Sequence, residues 1–307
     1  MAINTLTFAE KLSQELDKAL VQKSVTGFMA DNVFRSKFVG AKTVLIPTLE
    51  MSGLGDYDRD KGFVTGALTL THNAYTLSQD RARTFHLDSE DEDETGIANL
   101  AGQVMGEFVR TQVAPEMDAY ILSKLATLAE TKKQTITGTP ASQAYKMFVE
   151  GVGKVQNVTG YDEELVAFVD SAMWSALQTS AEVSRQIVIS DFKKGEISTK
   201  VKKLNDVAII PVADARMKTA FTFNDGTTED QEAGGFAPAA SAKNVGLLIL
   251  PKRATSLVKK TEKIRIFEPD RNQSMDAYKL DYRLYYDAFI KKSMEGTVFA
   301  YSYTAGA

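Results

Sequence analysis

The residues with the most obvious chemistry form the string Asp56-Tyr57-Asp58-Arg59-Asp60-Lys61-Gly62. Alternating carboxylates of this kind open the calcium loop of an EF-hand, which needs glycine at its sixth position and a bidentate glutamate at its twelfth. Here Lys61 holds the sixth position and Ala67 the twelfth. No helix pair is expected around the string either, so the spacing predicts no metal site. It reads as the polar tip of a turn. Its charged residues Asp56, Asp58, Arg59, Asp60 and Lys61 are candidates for ion pairs with another chain.

The other candidates for chemistry are weaker. Gly151-Val152-Gly153-Lys154 has the look of a phosphate loop, yet no G-x-x-x-x-G-K-[ST] or G-x-G-x-x-G is present, and the glycines fall inside a helical pattern. They read as close helix packing or a helix end. There is no G-x-S-x-G, and the two histidines, His72 and His86, have no catalytic partner at local spacing. The acidic run Asp88–Glu94 is accounted for by its place at a helix start, where the helix dipole favours negative charge. With no cysteines, disulfides and thiolate zinc sites are excluded. No catalytic residue, cofactor or metal is expected.

Arg81 and Arg83 share one face of an extended segment with Leu77, Gln79 and Phe85. Two readings stay open for them: intersubunit partners for carboxylates, or a charged edge that keeps a strand from aggregating. Basic residues also recur at Lys252-Arg253, Lys259-Lys260, Lys263 and Arg265, and in the first 42 residues. They could meet phosphates non-specifically, although a net charge of -4 gives no global attraction to nucleic acid.

The elements that carry these residues are unusual in shape. Thr43–Pro47 starts an extended ribbon that passes Gly53, Gly55, Gly62 and Gly66 and returns as Tyr75–Phe85. A lone two-stranded ribbon is marginal in water, so it must lie on something else. Ahead of it, residues 7–21 predict an amphipathic helix with Phe8, Leu12, Leu16, Ala19 and Leu20 on one stripe. Phe28, Met29, Val33, Phe34 and Phe38 make the following stretch apolar enough to pack on a partner.

After the ribbon, a capping-box spacing from Ser89 to Glu92 opens a long helix with a 3.6-residue period from Ile97 to Leu128. Pro115 inside that period predicts a kink or a restart. Thr139-Pro140 predicts a further helix start. Beyond Gly160 the pattern turns to α/β: strands at Leu165–Asp170, Gln186–Ser190 and Val207–Val212, with a helix at Ala172–Ala181. A breaker-rich acidic loop is predicted over 224–242, followed by a buried strand at Gly246–Leu250 and closing strands near 255–268, 278–290 and 296–303. No run of about 18 apolar residues exists to span a membrane, and the N-terminus lacks a signal-peptide pattern, which predicts a cytoplasmic product.

In this order the chain resembles the major capsid proteins of tailed bacteriophages, with their HK97-like fold. The resemblance rests on the ribbon with its Asp56–Gly62 tip, the long helix Asp88–Ala129, the segment Asp206–Thr219 with its Arg216-Met217 pair, and the closing strand Leu280–Phe289. It implies an α+β fold with an N-terminal arm (1–42), an extended two-stranded loop (43–88), a spine helix with the first part of a peripheral domain (89–160), an axial domain (161–261) and closing peripheral strands (262–307). It implies a structural, non-enzymatic shell protein forming pentamers and hexamers around double-stranded DNA, assembled in a host cytoplasm. The ribbon would lie over a neighbouring copy, the arm and spine helix would face the DNA, and the 224–242 loop would sit near the axial domain. Because only about 42 residues precede the ribbon, a separate scaffolding protein is expected rather than a large cleaved segment; a portal and decoration proteins are further expected partners. An encapsulin-type compartment shell and an α/β hydrolase are the competing readings.

Overall fold

The computed structural model describes residues 24–31, 37–40, 42–88, 100–136, 140–180, 188–194, 197–272 and 275–304. The chain runs through a 3₁₀ turn (Gly27–Asp31), β1 (Lys37–Val39), β2 (Thr43–Met51), β3 (Leu68–Thr76), β4 (Gln79–Asp88), α1 (Leu100–Phe108), a π turn (Val109–Val113) and α2 (Ala114–Thr131). Next come β5 (Thr135–Ile136), α3 (Pro140–Thr159), β6 (Leu165–Val169), α4 (Ser171–Thr179), β7 (Val188–Lys194), β8 (Ile197–Leu204) and β9 (Val207–Pro211). It closes with β10 (Phe221–Phe223), β11 (Phe236–Pro238), β12 (Asn244–Pro251), β13 (Thr255–Phe267), β14 (Ala277–Ile290) and β15 (Phe299–Tyr303). Among the described residues, no helix is long and apolar enough to cross a membrane. The amphipathic pattern over 7–21 and the Ser89–Glu94 helix start lie outside the described residues.

Strand β6, Leu-Val-Ala-Phe-Val, is buried at every position. An unbroken apolar strand belongs at the centre of a sheet covered on both faces, and β6 sits there. The seven strands of its sheet run β5-β15-β12-β6-β9-β8-β7. Val166 and Phe168 point into a core shared with the long helix, whereas Leu165, Ala167 and Val169 point into a second core under α3 and α4. Asp170 starts α4 by accepting the Met173 amide at 2.7 Å, an N-cap bond that satisfies one of the helix's orphan donors.

A second, three-stranded sheet has the order β13-β14-β4. Leu280, Tyr282, Leu284 and Tyr286 of β14 face the same core as Met105, Ile121 and Leu125 of the long helix. The helix is therefore wedged between two sheets. Its described part spans Leu100–Thr131, about 48 Å at 1.5 Å per residue. The Pro115 interruption is a widened π turn rather than a break: the Ala114 amide reaches back to the Val109 carbonyl, and the backbone stays helical on both sides. A proline lacks the N–H that would continue the normal ladder, and the wider turn takes up its ring.

Three sequence expectations change here. The returning ribbon strand is not continuous: it breaks at Leu77-Ser78, and the part from Gln79 onward leaves β2 to pair with β14. The last strand, β15, does not join the closing pair; it pairs with β12 in the large sheet, while β13 joins β14 along its whole length. Phe28 and Met29 need no external partner either. They are fully buried in the main core, with the Phe28 ring stacked 6.2 Å from Phe168.

Gly151 does mark close packing, inside α3 rather than at its end. A Cβ there would sit 2.6 Å from the Phe299 ring and 2.9 Å from Ile249, whereas one at Gly153 would meet open space. Gly151→Ala is expected to cost about 1–3 kcal/mol through overpacking. Gly153→Ala should be neutral or stabilising by up to about 1 kcal/mol, as Gly→Ala is in an exposed helix. Thermal unfolding of the two variants checks this, and equal melting temperatures would contradict the packing.

Candidate interaction surface

The ribbon is built from β2 and β3, paired antiparallel from Thr43↔Thr76 to Met51↔Leu68. Residues directly opposite one another share a face. Near the base, Val44 and Ile46 are buried against Leu77, Tyr285 and Phe289, and the Tyr75 ring lies 5.2 Å from Phe289. The same face continues outward as Thr48, Glu50, Thr69, Thr71 and Asn73, with Asn73 Nδ2 donating to Thr48 Oγ1 at 2.8 Å.

On the opposite face the distal pairs are Leu49↔Leu70 and Met51↔Leu68. Their exposures are 53% and 59%, and 71% and 69%, respectively. The inner face thus turns polar beyond Ile46, whereas the outer face, with Leu45, Pro47 and Ala74 nearer the base, stays largely apolar toward the tip. That surface is continued by Leu54, Tyr57, Phe63 and Val64, all exposed, with the Tyr57 and Phe63 rings edge-on at 5.1 Å. Strand β3 itself, Leu-Thr-Leu-Thr-His-Asn-Ala-Tyr-Thr, contains no charged residue or proline to protect its open edge.

The predicted charged residues Asp56, Asp58, Arg59, Asp60 and Lys61 are all exposed at the tip. Asp58 Oδ1 accepts the amides of Asp60 at 2.8 Å and Lys61 at 3.3 Å, so its carboxylate shapes the turn. The described residues contain no group of three side chains able to hold a metal. His72 lies on the outer ribbon face opposite Pro47, and His86 pairs across from Lys279 in β4, away from the tip.

Arg81 and Arg83 lie on β4, below the break. The carboxylate that Arg81 meets belongs to its own long helix: Nε donates to Glu116 Oε1 at 2.7 Å, while Nη2 reaches the Gly235 carbonyl at 3.2 Å. Arg83 Nη1 donates to the Glu232 carbonyl at 3.2 Å. Gly226, at φ +78°, admits this guanidinium, because a Cβ there would stand 3.2 Å from Nη1. The acidic loop is therefore shorter than its composition predicts, closed by the β10–β11 pair and clasped onto β4. A cleft of about 290 Å³ remains beneath it, between β4 and the long helix. On the outer face of β4, the hydrogen bond from Arg283 holds the Asp80 carboxyl below the usual carboxylate range.

Two buried carboxylates anchor the elements around the ribbon, and the sequence reading missed both. Asp287 in β14 is 1% exposed. It accepts from Ser78 N and Ser78 Oγ at 3.1 Å, from Tyr120 Oη at 2.9 Å and from Lys124 Nζ, joining the ribbon's break point to the long helix. Burial, reinforced by the Asp287 charge, pushes the Tyr120 hydroxyl well above the ordinary tyrosine range. Asp118 on α2 is fully buried and accepts from Ser24 Oγ at 2.6 Å, Val25 N at 3.0 Å, Thr26 N at 3.1 Å, Thr26 Oγ1 at 2.7 Å and Arg216 Nη1 at 3.1 Å. Single acidic residues in amphipathic segments carry no local mark of such burial. The ribbon's outer face is different: the unbroken alternation Leu45, Pro47, Leu49, Met51 is written in the sequence.

No protein-family model matches the chain, and no curated protein sequence matches it. Solved structures do. The chain aligns with the capsid of the cyanophage P-SCSP1u over 88% of its own length and 86% of that chain, at TM-score 0.57 and 10% identity. The chain has the fold of phage capsid shells. Gordonia phage Cozz aligns over 91% of this chain and 87% of its own, at TM-score 0.56 and 13% identity. A virus-like particle from Pyrococcus furiosus aligns over 96% and 99%, at TM-score 0.53 and 9% identity. At such identities the likeness is one of fold, and it extends over nearly the whole chain.

The Asp118 network makes a separate prediction. Asp118→Ala leaves Arg216 and the Ser24–Thr26 donors without their shared acceptor, which is expected to cost about 3 kcal/mol. Denaturant unfolding should show that loss, and limited proteolysis should cut faster near Ser24–Asp31. An unchanged midpoint and cleavage rate would contradict the anchoring role.

Proposed function

We propose that this chain is a structural shell protein that self-assembles into the pentamers and hexamers of an icosahedral phage head enclosing double-stranded DNA. The observation that carries the reading is the distal ribbon, whose Leu49, Met51, Leu68 and Leu70 face is left uncovered by the described residues of the chain that bears it. A monomer gains nothing from displaying such a surface, and exposed apolar patches mark sites of association. The whole-length likeness to capsid chains supplies the kind of association.

In this reading the ribbon lies over a neighbouring copy, and the tip charges Asp56, Asp58, Arg59, Asp60 and Lys61 make intersubunit ion pairs at its rim. The large sheet with α4 corresponds to the axial region and the long helix with β13 and β14 to the peripheral region; the sheet partnerships move the bounds given by the sequence, adding β15 and α3 to the axial side and β4 to the peripheral side. A scaffolding protein, a portal and decoration proteins are the partners, with DNA held non-specifically on the inner face of the virion capsid. The near-complete alignment with the Pyrococcus furiosus particle keeps a second reading, an encapsulin-type compartment shell. The content of purified particles, nucleic acid or packaged enzyme, separates the two.

Replacing residues 50–72 with a short glycine–serine linker tests the ribbon's part. The variant is expected to keep a cooperative melt and an unchanged far-ultraviolet dichroism spectrum, because the removed residues lie outside all buried clusters. It should form no closed particles in negative stain, whereas the unaltered chain should. Particles from the variant at the unaltered yield would refute the role, and an unaltered chain that stays monomeric at high concentration would refute shell building altogether.

A further inference from the structure

Strand β4 is the last strand of its sheet: the order β13-β14-β4 leaves one of its long edges without a neighbour. Every residue of Gln79–Asp88 pairs with β14, and among the described residues no other backbone bonds to the strand. An open edge of this kind is a template for another chain, and charge is the usual guard against indiscriminate pairing. On β4 most of that charge is already paired. Glu116 neutralises Arg81, and Arg283 neutralises Asp80. Arg83 is exposed, and among the described residues its one hydrogen bond goes to the Glu232 carbonyl, so its charge meets no carboxylate there. A guanidinium has several donors, so it can keep that bond and still fork onto a carboxylate.

The cleft of about 290 Å³ runs along this edge. Four consecutive residues, Asp80 to Arg83, line it, although side chains alternate between the two faces of a strand. The cleft therefore meets β4 along its backbone. Its apolar wall is Phe85, Phe108 and Tyr282, with the Phe108 ring edge-on to the other two at 4.9 and 5.7 Å. An open backbone edge, a cation without a carboxylate and an aromatic wall thus lie side by side. That combination suits an extended peptide, which takes its affinity from main-chain bonds and its specificity from alternate side chains.

We propose that β4 is a docking edge for an extended acidic segment of a partner protein, which adds to the sheet beside β4 with a carboxylate opposite Arg83 and an apolar side chain opposite Phe85. Residues directly opposite one another share a face, so the segment must carry its acidic and its large apolar residue two positions apart. The same Arg83 repels a basic segment, which gives the edge its selectivity. A second copy pairing edge to edge through β4 would bring two Arg83 side chains to one seam, so the charge favours a different chain. The site is complete within one copy and does not draw on the shell reading.

Selection of displayed random peptides, each about the length of β4, on the purified chain tests this. Enriched sequences are expected to hold an aspartate or glutamate two positions from a large apolar residue. A synthetic peptide of that pattern should bind saturably in fluorescence anisotropy and slow amide exchange over Asp80–Phe85. Replacing its acidic residue by lysine should weaken binding by about tenfold or more, the scale of one hydrogen bond to a charged group. Arg83→Glu should exchange the two preferences, with the lysine peptide now the tighter. Methylating alternate amide nitrogens of the peptide should abolish binding in one phase and spare it in the other, because only one set of amides faces β4 in an added strand. Binding without slowed exchange in β4, indifference to the lysine replacement, or no enrichment beyond that on the Arg83→Glu chain would overturn the proposal. Protection of β4 that rises with protein concentration in the absence of peptide would give the edge to a second copy and overturn it too. None of these outcomes bears on particle formation, which tests the shell reading separately.

Discussion

A two-stranded ribbon has two faces and no layer of its own to cover either, and the rest of the molecule is arranged around that constraint. At the base, the difficulty is solved within the chain by burying Val44 and Ile46 on Tyr285 and Phe289. Farther out the described residues offer no cover, and the inner face turns polar while the outer face keeps Leu49, Met51, Leu68 and Leu70. Fully burying a leucine- or methionine-sized side chain is worth about 1.5–3 kcal/mol. In the proposed shell, the more than half-exposed distal residues of each copy hold back a share of that until a neighbour arrives. Association would then rest on the strand pattern, with no chemistry asked of the tip.

A projecting ribbon also acts as a lever, so its root must be stiff. The Asp287 and Asp118 carboxylates supply that stiffness by drawing donors from elements distant in sequence to the long helix. A buried charge left without partners would cost several kcal/mol, so such groups are strong specifiers of geometry when fully bonded and severe defects when not. Asp287 ties the strand break at Ser78 to Tyr120 and Lys124. Asp118, two residues before Tyr120, ties Ser24–Thr26 to the same helix. The helix, wedged between both sheets, carries these constraints along its length, and Arg81 and Arg83 add the clasp on the 224–235 loop.

Much of this architecture was legible in the residues. The helical period of the long helix, the buried runs at Leu165–Val169 and Gly246–Leu250, and the closing strands are strong periodic signals, and they fell close to the observed elements. Strand partnership was not legible, because pairing depends on non-local contacts. Nothing in Tyr75–Phe85 marks the point where the chain leaves β2 for β14, and the break needs Asp287, some two hundred positions away, to make sense. Local sequence leaves an intersubunit partner and a charged edge equally open for Arg81 for the same reason, and its carboxylate is Glu116 of its own chain. The charged tip stands out through its spacing, whereas the informative signal is the quieter alternation Leu45, Pro47, Leu49, Met51, which keeps one face apolar after the other turns polar at Thr48 and Glu50.

The central claim is that the distal ribbon is covered only when copies of the chain come together. Amide hydrogen exchange over Leu68–Thr76, measured on assembled particles and on dissociated subunits of the same preparation, addresses it directly. Fast exchange in the subunits and marked slowing in the particles is the expected result, with the buried strand Leu165–Val169 slow in both. Equal exchange of the ribbon in the two states would contradict the account.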